Sequence, residues 1–165
     1  MAELTQLESK IGEVLGLAMA SQVATKKVAS LLDAGNDHGL HEKLDRMRQE
    51  ASETEERCTD LAGEIEGKKT AILEQARETK TEASSMMDIY LGDDADALDG
   101  FEFLTMAEAG EVGHWSVVEK FNEQVGDRSV GELVAWALPI QQRHYDAALE
   151  GSLTLAADID ANEPE

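Results

Sequence analysis

Apolar residues recur along this chain at alternating steps of three and four, the spacing of one helical face. The most regular run is Leu40, Leu44, Met47, Ala51, Thr54, Cys58, Leu61 and Ile65, which makes a seam suited to near-antiparallel helix packing. It predicts a helix from about Asp37 to Glu66. A first helix is expected over residues 2–33, with Leu4, Leu7, Ile11, Val14, Ala18, Thr25, Val28 and Leu32 near one face. The turn formers from Asp33 to Gly39 end it. Gly67-Lys68-Lys69 marks a break, and residues 69–87 form a weaker apolar stripe suited to a crossover segment. A third bundle helix is expected over about 94–124, stopped by Gly126. Asp127 then caps a last helix running to about Asp158 through Pro139, which removes one helical hydrogen bond. Alternating apolar segments bounded by hairpin turns are missing. The predicted class is all-α: a four-helix bundle over residues 1–158 with an additional crossover helix between helices two and three, then a frayed acidic tail over 159–165.

Charge narrows the partners. Asp and Glu number 35 against 14 Lys and Arg, for a net charge of −21. Such a surface repels phosphate, so neither nucleic acid nor an anionic membrane is an expected partner. No run of apolar residues is long enough to cross a bilayer. The N-terminal stretch lacks the basic start and apolar block of a signal peptide. The single cysteine, Cys58, has no partner for an internal disulfide, which suits a cytoplasmic setting. Acids are spread through every segment, which fits a solvated surface of the salt-adapted, halophilic kind; recognition of a basic protein partner is the other reading.

Within the third helix, the inward stripe runs Phe101, Leu104, Ala107 or Glu108, Glu111, His114, Val118 and Phe121. Glu111 and His114 form a Glu-x-x-His pair on one face. On the last helix, Gln141 and His144 repeat the spacing with an amide in place of the acid. Helices three and four should be antiparallel neighbours across a short turn, which brings Glu111, His114 and His144 to similar heights. These residues, with Gln141, are the candidate metal ligands: two imidazoles, one carboxylate and one amide oxygen, suited to a single divalent ion. A hydrogen-bonded polar cluster without metal is the alternative, and the one we favour. His38 and His41 read as a loop and first-turn pair, Trp115 and Trp136 as packing anchors or part of a dimer surface.

These segments resemble the ferritin-like superfamily, in particular its small bacterial stress-response branch, the YciF-like proteins. Glu53-Thr54 stands where that branch has a Glu-Thr pair, Gly67-Lys68-Lys69 where its crossover helix begins, and Glu111 to Trp115 where it has a Glu-His-Tyr core. Residues 137–156 are similar to its last helix. The chain departs from the pattern at Gly113, Ser116, Gln141 and Gln142, which stand where the branch carries acids, and its first helix has no acid between Glu13 and Asp33. The resemblance implies a cytoplasmic, dimeric bundle with a stress-related role, non-catalytic or metal-binding, and a degenerate dimetal site. Its cofactor would be none, or a divalent Fe, Mn or Zn ion. A carboxylate-bridged dimetal oxidoreductase, ferroxidase or catalase-like, is the enzymatic alternative; an acidic scaffold for a basic partner is the third.

Overall fold

A computed structural model describes residues 2–164. Met1, at the start of the expected domain, and Glu165, at the end of the expected tail, lie outside the described residues. The described residues form five helices: α1 (Gln6–Ala29), α2 (Leu40–Glu64), α3 (Lys69–Tyr90), α4 (Ala97–Val125) and α5 (Arg128–Ala156). No strand occurs among the described residues. The all-α expectation therefore holds, and most ends shift by a few residues, as helix termini do, with α3 running on to Tyr90.

Local chemistry sets those ends. Thr5 and Glu8 cap α1 reciprocally: the Thr5 hydroxyl accepts from the Glu8 amide, and the Glu8 carboxylate accepts from the Thr5 amide. Asp96 and Asp99 do the same at α4. The Asp127 side chain accepts from the Val130 amide and opens α5. Gly126 closes α4 at φ 74°, in the left-handed region where glycine has no Cβ penalty. Helix α2 starts later than Asp37 because His38 and Gly39 both take positive φ. The Asp37 carboxylate still accepts from the His41 amide at 2.9 Å.

Contacts across the helices give their order and direction. Lys10 approaches His114 while Gly100 packs under Val28, so α1 and α4 are antiparallel. Gln22 pairs with Glu55, and Glu8 near the start of α1 pairs with Lys68 just beyond the end of α2, so α1 and α2 are antiparallel. Lys43–Glu150, Glu50–His144 and Arg57–Trp136 do so for α2 and α5. A short turn leaves α4 and α5 antiparallel, with the Phe101 ring against Gly151. The four helices thus surround one core in the cyclic order α1, α2, α5, α4.

Helices α2 and α4 consequently point the same way, and the chain must climb back the full bundle height between them. The 22 residues of α3 do this, covering ~33 Å at ~1.5 Å per residue. Helix α3 lies outside the ring, mainly against α1. Gly12 and Gly16 allow the close approach. A Cβ on Gly12 would sit 2.9 Å from the Ile72 carbonyl oxygen, and one on Gly16 would sit 2.7 Å from Thr79 Cβ. Only Ala71, Ile72 and Ala76 of α3 are buried, which explains its weak stripe.

The apolar interior comes in two blocks. One gathers Leu7 to Leu15 of α1, Cys58 to Ala62 of α2, Trp115 and Val118 of α4, and Val130 to Ala137 of α5. The other gathers Ala24 to Leu32, Leu40 to Met47, Ala97 to Leu104, and Ala148 with Leu155. Every bundle helix contributes to both, so every one passes through the gap between them.

Candidate functional site

That gap is filled by polar side chains, and each bundle helix supplies at least one. Helix α1 gives Ser21, α2 gives Glu50, α4 gives Glu108 and Glu111, and α5 gives Gln141 and His144. All are buried except Glu50, which is mostly covered. Helical spacing explains the coincidence. Ser21 lies between Ala18 and Ala24 on α1, and Glu108 and Glu111 lie between Leu104 and Trp115 on α4. Each is the mid-helix turn of an otherwise apolar face.

Glu108 is the hub, only 1% exposed. Its Oε1 accepts from the Ser21 hydroxyl at 3.2 Å, and its Oε2 accepts from the Gln141 side-chain amide. His144 Nδ1 stands 3.6 Å from the same Oε2. On its other side, His144 Nε2 lies 3.1 Å from Glu50 Oε2. The imidazole therefore sits between carboxylates from two different helices. Glu50 also accepts from Arg46 at 2.6 Å and from Arg143 at 2.8 Å. Burial pushes the Glu50 carboxyl up, but the Arg46 hydrogen bond and the charges of His144 and Arg143 outweigh it and hold it below its ordinary range.

Glu111 differs from its neighbours. It is 6% exposed, and no hydrogen bond or ion pair reaches it among the described residues. Burial first, and the negative charge of Glu108 second, push its carboxyl well above the usual range. It faces a cavity of about 200 Å³ between α1, α3 and α4.

Of the four expected ligands, the structure brings three into or beside one layer. Gln141 and His144 meet at Glu108, and Glu111 is one turn further along α4. His114 stands outside the layer, on the wall of the cavity that Glu111 faces. Its Nδ1 is 3.1 Å from Glu13 of α1 near Lys10, and its side chain is 38% exposed. The inward face of α4 runs Leu104, Glu108, Glu111, Trp115 and Val118, so Trp115, 1% exposed, occupies the place expected for His114. Trp115 is a core anchor rather than part of a dimer surface. Trp136 is half-buried, with the Arg57 guanidinium 4.1 Å from its ring centroid. His38 pairs with Asp158 at 2.6 Å and His41 with Asp37 at 2.8 Å, the loop and first-turn roles expected of them. Burial pushes the Cys58 thiol up to about 12, which leaves it unreactive.

Sequence reasoning missed Ser21 and Glu50 and left Glu108 as an alternative to Ala107. Glu50 falls three residues after Met47, at the edge of the α2 stripe, so its spacing could have flagged it. Ser21 fills the one gap in the α1 stripe between Ala18 and Thr25. Glu108 and Glu111 both lie about as far before the Asp127 turn as His144 lies after it, and His114 lies closer to the turn than either.

The donor set does not fit a pair of metals. Where α1 would need a carboxylate it has a hydroxyl, Gln141 acts as a donor, and both nitrogens of His144 face carboxylates. Among the described residues no three His, Cys, Asp or Glu side chains converge as a metal-binding group. Among the described residues no helix is long and apolar enough to cross a membrane. Compared with family models, curated proteins and solved structures, the chain matches none.

Proposed function

We propose that this chain is a ferritin-like bundle with a stress-related, non-catalytic role, in which a self-satisfied polar layer takes the mid-core place of a dimetal site. The cyclic order of four antiparallel helices, with a long return segment between the second and third of them, supports the ferritin-like assignment. The stress role is carried by the sequence resemblance. The observation that carries the layer is His144, held between Glu50 and Glu108. The ring lies 3.1 Å from Glu50 and 3.6 Å from Glu108, so its contacts are met within the protein. The layer links four helices at one height. Slipping any helix by a turn would leave Glu108 or His144 buried without partners, at about 1–3 kcal/mol each, so the layer fixes the register.

Glu50 favours one second reading. It supplies a carboxylate from the second helix beside His144, which is the one observation that points toward a single divalent ion. Titration calorimetry of metal-stripped protein with Fe(II), Mn(II) and Zn(II) separates the two. The structural layer gives no stoichiometric heat. Stoichiometric binding that disappears in His144→Ala would replace it with the mononuclear site. For the stress role, expression of the chain should raise survival of a bacterial host under hydrogen peroxide, and equal survival with and without it would remove that part.

A further inference from the structure

The cavity beside the layer is mostly apolar, with Ser21, Ser84, His114, Glu108 and Glu111 as its polar lining. Leu17 of α1, Met87 of α3, and Phe103 and Met106 of α4 line it, and Glu108 and Glu111 close its inner end. Glu108 is engaged by Ser21 and Gln141. Glu111 lines the cavity with no partner, more than nine-tenths buried. A buried carboxyl with nothing to pair with is costly, and an ion pair in a low-dielectric site is strong when both members are held. Met86 and Met106 are partly exposed and also line the cavity, so the site opens to solvent between α3 and α4. Helices α3 and α4 touch only sparsely, which is why the space exists.

We propose that this cavity is a binding site for a small organic ammonium ion, with Glu111 taking the charged head and the α1, α3 and α4 walls taking an apolar body. Each part of the ligand follows from a part of the site. The head must be cationic because two carboxyls meet it and the whole chain carries a net charge of −21. The mostly apolar walls favour a ligand with a carbon body over a bare or hydrated metal ion. Methionine side chains adapt to varied apolar shapes, so the walls select for apolarity rather than for one skeleton. Volume bounds the size. A cavity of ~150 Å³ holds benzene, so about 200 Å³ admits a body of roughly six to ten heavy atoms.

The probes are n-alkylammonium ions from butyl to dodecyl, each compared with the n-alkanol of equal length, titrated calorimetrically into the metal-stripped full chain. Octylammonium should bind one to one, at least tenfold tighter than octanol, with affinity falling again at dodecyl. Glu111→Gln should abolish the tenfold preference and leave octanol binding unchanged. Ala83→Phe, which fills the cavity from α3, should weaken both. Equal affinity for octanol and octylammonium, a preference that survives Glu111→Gln, or no saturable octylammonium binding would each overturn the proposal. Metal titration is a separate measurement, so the fate of the layer as a structural device does not decide this one.

Discussion

Two glutamates within one layer are held in opposite electrostatic conditions, and their pH behaviour should separate them. Glu50 is held below its ordinary range by Arg46, His144 and Arg143 against the opposing effect of burial. Its contribution to stability is therefore present above the ordinary carboxylate range and lost as pH falls through the depressed folded value. Glu111 is pushed up by burial and by Glu108. Its contribution is present below the ordinary range and lost as pH rises through the raised folded value. Glu50→Gln should thus cost about 1–3 kcal/mol near neutral pH, the worth of hydrogen bonds to a charged group, and much less in acid. Glu111→Gln should gain on the wild type as pH rises from 4 to 8. Denaturant unfolding across that range checks both, and parallel pH curves for the two variants would contradict the assignment. The residue scale is also where the sequence was hardest to read. Ser21 and Glu50 carry no apolar signal, so a periodicity search passes over them. His114 stands apart from the layer because three-step and four-step positions diverge around a helix, and the bulk of Trp115 decides which of them turns inward.

At the scale of elements, the stripes were legible because burial acts on them directly. All eight positions of the α2 stripe are buried or packed against the core. Helix α3 gave a weaker pattern for a physical reason: it buries one narrow side against the glycines of α1 and leaves the rest to water. Its packing partner was not readable, since Gly12 and Gly16 are silent in an apolar stripe. Helix α5 runs through Pro139 as one continuous helix. Pro139 and Ala135 are both exposed, so the carbonyl that loses its donor faces solvent and the missing bond costs little. Pro139→Ala should restore that donor and leave stability unchanged or raised by up to ~1 kcal/mol. A loss above ~1 kcal/mol, measured by urea unfolding, would mean that the proline shapes α5 around His144.

For the molecule as a whole, charge and the split core set the terms. With a net charge of −21, the folded chain repels itself, and salt should relieve this as the screening length falls from ~10 Å at 0.1 M to ~3 Å at 1 M. The melting temperature should rise clearly between low salt and molar KCl; a flat or falling curve would remove the salt-adapted reading of the surface. The layer that separates the two apolar blocks belongs to this scale too, because it joins α1, α2, α4 and α5 through Glu108 and His144. Its reality is tested most directly by a double-mutant cycle on Glu108→Ala and Gln141→Ala, followed by urea unfolding at neutral pH. If the two side chains satisfy each other across α4 and α5, either single change strands the other group. The double variant should then cost less than the sum of the singles by ~1–3 kcal/mol. Additive losses, within ~0.5 kcal/mol, would show that no shared layer holds these helices together.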